Sequence, residues 1–116
     1  MEAEELADAG VRFFAIFEAS RAVAMGALKP ISEDHGELKS MHVIDEARGR
    51  GLARGLLRHL IEEARAAGMS RVSLETGSQQ AFGAARALYR AEGFRECPPF
   101  ADYGPDPNSV FLTLML

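Results

Sequence analysis

Cysteine is nearly missing from this chain. Cys97 is the only one in 116 residues, which excludes an intrachain disulfide and fits a reducing compartment. A basic excess is also missing: 13 Lys and Arg face 17 Asp and Glu, a net charge of −4, which argues against a nucleic-acid partner. No apolar run reaches the roughly 18 residues that a spanning helix needs. Met1 to Gly10 is acidic and lacks the apolar core of a secretory signal. The expectation is therefore a cytoplasmic protein with no membrane partner. His35, His42 and His59 have no mutual ligand spacing, so no metal site is expected. The sequence contains no internal repeat, low-complexity segment or linker, and a single domain over 1–116 is expected.

What is present is an ordinary globular composition with strong local patterning. Glu2 to Asp8 is helix-compatible and Gly10 breaks it. Val11–Phe17 is aromatic and β-branched, and Ala22–Leu28 is apolar; the polar Glu18–Arg21 between them predicts an antiparallel hairpin. Gly26 marks a bulge or a close approach of another backbone. Residues 29–36 read as a loop and Gly36–Ile44 as a third strand. That strand lacks clean alternation: Glu37, Lys39, Met41 and Val43 would share one face, and Leu38, Ser40, His42 and Ile44 the other. Polar groups on both faces suit a central strand lining a cleft better than a half-buried structural one. Gly51–Ala67 is the best helix, with Leu52, Leu56 and Leu60 in one apolar row and Ala53, Leu57, Ile61 and Ala64 beside it. His59 on this helix is expected to face solvent. Strand Arg71–Thr76, helix Phe82–Ala91, strand Phe94–Glu96, the proline-rich loop Cys97–Asn108 and strand Ser109–Met115 complete the order. Hairpins followed by alternating strands and helices predict an α/β (mixed α+β) layer protein.

The chain is organised around the stretch from Glu37 to Leu57, a strand, a tight arginine- and glycine-rich turn and the start of a helix. Glycines there let the backbone approach a ligand, and the helix N-terminus behind it directs N–H groups and partial positive charge at one spot. Such a place binds phosphate. Arg48, Arg50, Arg54 and Arg58 read either as a patch for an anionic small molecule or as a wet helix face. A P-loop is excluded because no Gly-Lys-Ser/Thr follows the glycines. The dinucleotide fingerprint fits poorly: Gly55 comes one residue late, three antiparallel-looking strands precede the turn, and too little chain remains for a second half-fold.

Arg48-Gly49-Arg50-Gly51-Leu52-Ala53 resembles the Arg/Gln-x-x-Gly-x-Gly/Ala signature of the GNAT N-acetyltransferase family. Ala85-Arg-Ala-Leu-Tyr89-Arg-Ala-Glu-Gly93-Phe94 is similar to the family's second hallmark, in the right order and at the right separation. The resemblance covers residues 11–116. Gly36–Met41, Leu74–Ser78 and Pro99–Phe111 further resemble a bacterial subgroup of small acetyltransferases.

The resemblance implies an acetyl-CoA-dependent N-acetyltransferase that acts by direct attack of a small-molecule amine or an amino-acid-like acceptor. It implies that Arg48, Gly49, Arg50, Gly51, Leu52 and Ala53 hold the coenzyme pyrophosphate. Met41, His42 and Val43 would line the pantetheine arm, with a backbone N–H near Val43 facing the thioester carbonyl. Glu37 would be the base and Tyr89 the acid that protonates the leaving thiolate; their bland readings are a surface glutamate paired with Lys39 or Arg12 and a packed helix tyrosine. Asp102, Tyr103, Asp106 and Asn108 would contact a cationic or polar acceptor, or else serve turn chemistry. Cys97 reads as a packed thiol. Phe82 stands where many relatives have a coenzyme-contacting asparagine. The family also begins with a strand and two helices that ten residues before Val11 cannot build, so an open edge on Val11–Phe17 and self-association are expected. A non-catalytic acyl-CoA-binding module or a fragment is the alternative reading.

Overall fold

The computed structural model describes residues 3–8 and 10–116, apart from the side chains of 3–8 and 40. Seven strands form one mixed sheet: β1 (Ala3–Asp8), β2 (Val11–Glu18), β3 (Arg21–Pro30), β4 (His35–Val43), β5 (Arg71–Gly77), β6 (Arg95–Glu96) and β7 (Ser109–Met115). Their spatial order is β1-β2-β3-β4-β5-β7-β6. Among the described residues only β4 and β5 are parallel, and the connection between them carries helix α1 (Leu52–Ala66). Helix α2 (Gly83–Ala91) links β5 to β6.

The first strand corrects the sequence reading. Residues 3–8 pair along β2 from Ala3↔Ile16 to Asp8↔Val11, so a helix-compatible segment is a strand; Glu2 lies outside the described residues. Ala, Glu and Leu are good helix formers, but intrinsic propensity amounts to less than about 1 kcal/mol per residue and a long antiparallel pairing overrides it. The edge expected on Val11–Phe17 is therefore covered by β1, and the premise for association through it falls. Among the described residues no helix precedes β4.

The β2–β3 hairpin closes through Ala19 and Ser20, both in the left-handed region with φ of 50° and 67°. This is the backbone that a two-residue turn needs to match strand twist, here without glycine. Helix α1 lays Leu52, Leu56, Leu57, Leu60, Ile61 and Ala64 on the sheet as predicted. They meet Phe14, Leu28, Leu38, Val72, Leu74 and Leu112 in one core. Complete burial of each such side chain contributes about 1.5–3 kcal/mol. His59 is half-buried, with its ring edge-on to Phe14 at 5.2 Å, rather than simply facing solvent.

The mixed polarity of β4 has a geometric cause. Met25 pairs with His42 but Ala27 pairs with Lys39, so Gly26 stands opposite both Ser40 and Met41. This β-bulge reverses the alternation. Leu38, Met41 and Val43 all pack towards the core, while Glu37 faces the other side of the sheet. The expected face shared by Glu37, Lys39, Met41 and Val43 does not form. Of the two readings of Gly26 the bulge holds; what crowds the position is side chains and not another backbone, since a Cβ there would lie 2.6 Å from Met41 Sδ and 3.0 Å from Leu60 Cδ1.

Candidate active site

Directly beyond the bulge the sheet opens. The β4–β5 ladder runs from His35↔Arg71 to Leu38↔Leu74 and stops there, although β4 continues to Val43 and β5 to Gly77. Two parallel strands thus diverge, each leaving edge groups that an extended ligand can pair with. Ile44 N–H donates to Val23 O at 3.0 Å. By strand alternation the peptide groups of Val43 point away from β3, into the gap. Its carbonyl there accepts from Arg48 Nε at 3.2 Å.

Two clefts meet in this gap. The first, of about 520 Å³, runs from Met41, His42 and Val43 past the turn at Arg48, Gly49 and Gly51 to the N-terminal turn of α2. Leu52 and Ala53 complete its floor. Gly49 and Gly51 have φ of +79° and +76°, and a Cβ at either would meet nothing within 4 Å. Glycine is needed there for its backbone and not for packing space. Gly51 is the N-cap of α1 and no side chain caps the helix, so the first N–H groups remain available to an anion.

Arg50 departs from its expected place. Its guanidinium makes a two-pronged ion pair with Glu18 at the end of β2, Nη1 donating to Oε1 at 2.9 Å, and it does not line the cleft. The neighbouring arginines are also matched: Arg48 pairs with Asp45 at 3.2 Å, and both Arg54 and Arg58 pair with Glu92. Four arginines facing three carboxylates leave a small cationic surplus, so the anion cradle is chiefly backbone.

The second cleft, of about 440 Å³, shares Met41, Phe82, Ala85 and Tyr89 with the first. It passes through the sheet towards Lys39, Glu75, Gln79, Asn108 and Ser109. Tyr89 stands at the junction, 7% exposed, with Phe94 edge-on at 5.8 Å. Burial raises its pKa, so the hydroxyl is protonated at neutral pH. Phe82, at the position of the missing asparagine, is exposed and lines both clefts. It offers an aromatic face where an amide would have offered hydrogen bonds.

Glu37 is buried rather than a surface glutamate, and Arg12 pairs with Glu63 instead. The Tyr103 hydroxyl donates to Glu37 Oε2 at 2.6 Å, and Lys39 Nζ stands 3.6 Å from the same oxygen. Tyr103 comes from the loop 97–108, which aromatic packing pins to the sheet face opposite the helices: Phe100 to Tyr103 at 5.2 Å, Phe100 to Phe111 at 5.8 Å, Tyr103 to Phe111 at 5.4 Å. Burial first, then the Glu37 contact, pushes the Tyr103 pKa far above the ordinary tyrosine range. Glu37 lies next to the second cleft but outside its lining.

The acceptor residues expected in this loop separate. Asn108 lines the second cleft and its Oδ1 accepts from Gln79 Nε2 at 3.4 Å. Tyr103 reaches Glu37, whereas Asp102 is exposed and lines neither cleft. Asp106 serves the turn, its Oδ1 accepting Asn108 N–H at 2.8 Å. Glu75, which the sequence places only as a possible ribose-binding acid in the dinucleotide reading, lies here instead. It ends a strand beside Thr76-Gly77, and its carboxylate accepts from Ser109 Oγ at 2.7 Å inside the cleft. Among the described residues no cluster of ligating side chains could hold a metal ion. Burial raises the Cys97 thiol pKa, which suits a packed thiol.

Comparison with known proteins bears on this geometry. Residues 1–94 match the acetyltransferase (GNAT) family. The chain belongs to that family. It is 46% identical over 113 residues to the uncharacterized N-acetyltransferase YsnE of Bacillus subtilis (strain 168), covering 97% of this chain and 75% of that protein. It is 41% identical over 116 residues to the uncharacterized N-acetyltransferase YedL of Escherichia coli (strain K12), covering 100% and 73%. A Klebsiella pneumoniae structure described as an acyl-CoA N-acyltransferase superposes with a TM-score of 0.85 at 37% identity, over 92% of this chain and 73% of that one. A GNAT acetyltransferase of Elizabethkingia anophelis with acetyl-CoA bound shares the fold at 18% identity, with a TM-score of 0.78 over 92% and 77%. The chain is thus an N-acetyltransferase with the acyl-CoA N-acyltransferase fold.

Proposed function

We propose that this GNAT protein transfers an acetyl group from acetyl-CoA to a small-molecule amine by direct attack. One observation carries the reading: a glycine turn with an uncapped helix N-terminus opens into a cleft that joins a second, polar cleft at Tyr89. Backbone N–H groups of residues 48–53 hold the donor's pyrophosphate, and Arg48 adds charge from the cleft wall. The pantetheine arm lies along Met41, His42 and Val43, pairing with the edge that the splay leaves open. The Val43 N–H, turned into the gap, stabilises the negative charge that develops on the thioester oxygen.

The amine nitrogen bonds to the carbonyl carbon, the C–S bond breaks, and the sulfur leaves with the electron pair. Tyr89, kept protonated by burial, supplies the proton that turns the thiolate into the thiol. The proton lost by the amine goes to Glu37. Because Tyr103 and Lys39 enclose that carboxylate, it receives the proton through an intervening group and not by contact. Asn108 and Tyr103 contribute to the acceptor side. Asp102, exposed and lining neither cleft, is not included.

Calorimetric titration with acetyl-CoA, CoA and NADP tests the donor, and CoA release across an amine panel tests the transfer. Tight binding of acetyl-CoA and none of NADP is expected. Glu37→Gln and Tyr89→Phe should each lower kcat while leaving acetyl-CoA affinity unchanged. Equal kcat in both variants and wild type would remove them from the chemistry. Self-association is also proposed, now through the exposed Phe13, Phe17 and Met25 rather than the β2 edge; the β2–β3 register sets all three on the sheet face opposite α1. Light scattering of Phe13→Ser/Phe17→Ser against wild type tests it. Among the described residues no helix is long and apolar enough to cross a membrane, and a cytoplasmic location is proposed.

A further inference from the structure

We infer that Glu75 is the acceptor-binding anion of this enzyme, and that the acceptor is an ammonium without a carboxylate beside it. The inference rests on the acetyl-transfer reading and adds the substrate class. Three observations carry it. Glu75 lines the cleft that meets the donor cleft at Tyr89, so a group docked on it lies on the path to the donor. One of its oxygens is already fixed by Ser109 Oγ at 2.7 Å, which orients the carboxylate and leaves its other oxygen free of that contact. Among the described residues, no cationic nitrogen lies within 4.0 Å of it.

Charge balance then selects the ligand. The other charged side chain of the cleft wall, Lys39, stands 3.6 Å from Glu37 Oε2 and is matched by it. With Lys39 so engaged, and the Arg86 guanidinium turned to the carbonyls of Gly77 and Gln79 at 2.6 and 2.9 Å, Glu75 is the carboxylate of the cleft wall left without an ion pair among the described residues. A monocationic amine neutralises it on docking, and gives one proton to solvent before its nitrogen attacks as the free amine. A free α-amino acid would bring a second carboxylate into the same space, where the lysine is already engaged, and like charges in a half-buried cleft repel. Phe82 and Met41 line the same cleft and suit an apolar body behind the ammonium. Amines, amino-acid amides and peptide N-termini fit this description.

The test pairs phenylalaninamide with phenylalanine and adds phenethylamine, following CoA release at saturating acetyl-CoA, with acetyl-CoA binding measured separately by calorimetry. In wild type the amide and the amine should exceed the free acid in kcat/KM by about tenfold or more. Glu75→Gln should raise KM for the amide about tenfold and narrow the gap to the acid, with the KM for acetyl-CoA unchanged. Glu75→Asp, which restores the charge, should restore the preference; a structural role would not show this rescue. Equal use of acid and amide, or an unchanged amide KM in Glu75→Gln, overturns the inference. Acetyl-CoA binding with none of the three acceptors used also overturns it and leaves the donor reading standing. Failure to bind acetyl-CoA overturns both.

Discussion

Replacing Tyr103 with phenylalanine removes one hydroxyl and leaves the ring that packs against Phe100 and Phe111. The loss therefore isolates the hydrogen bond to Glu37 Oε2, 2.6 Å long, on a carboxylate whose side chain is 4% exposed. Hydrogen bonds to charged groups contribute about 1.5–3 kcal/mol, and a buried acceptor left short costs in the same range. Lys39 at 3.6 Å stays behind and offsets part of the penalty, so about 2 kcal/mol is expected. For a domain of this size that corresponds to roughly 8 °C in Tm. Urea denaturation of wild type, Tyr103→Phe, Glu37→Gln and the double variant closes a cycle, with a coupling of about 1 kcal/mol or more expected. The pH dependence has a definite sign. The folded pKa of Tyr103 is raised, so its contribution is fully present below the unfolded value of about 10 and is lost as pH rises beyond it. Tyr103→Phe should lack that alkaline loss. Additive single losses, or a Tyr103→Phe cost under about 0.5 kcal/mol, would refute the view that this loop holds the carboxylate in place.

Gly51→Ala should cost about 1–2 kcal/mol from the left-handed φ alone, since no atom obstructs the added Cβ. It should also weaken acetyl-CoA binding; thermal melting and calorimetry measure the two effects on the same sample. Ala19→Asn/Ser20→Gly should stabilise by about 1 kcal/mol, because both positions already have the φ that Asn-Gly turns adopt. Urea midpoints at constant m-value check this. His35→Gln tests the network in which His35 Nε2 meets Ser73 Oγ at 2.7 Å. Burial, then the Arg71 charge, lowers the His35 pKa, so its contribution is present above the unfolded value of about 6.5 and lost as pH falls through the folded one. The difference in stability between wild type and His35→Gln should shrink from pH 7.5 to pH 5.

How much of this was readable in advance depends on how far apart in sequence the cooperating groups lie. The turn at residues 48–53 is local: its glycines, its φ requirement and the helix behind it fall within one short stretch, and it stands where the sequence places it. Helix α1 is local too, because its Leu and Ile spacing is a property of the helix itself. The composition of β1 favours helix, while its state is set by pairing with residues 11–16. The β4 bulge left a trace, the spoiled alternation, but its meaning required the β3 register. Arg50 belongs to the signature by its position, yet its guanidinium partner is Glu18, 32 residues away. Tyr103 reaches Glu37 across 66 residues and Ser109 reaches Glu75 across 34. The glycine-turn cleft, the proposed donor side, is thus built mainly from neighbours in sequence. The second cleft, the proposed acceptor side, is assembled from β4, β5, β7 and a loop that meet only in the folded chain. On that proposal, changes in the loop 97–108 and at Glu75 should alter acceptor use without disturbing the glycine turn.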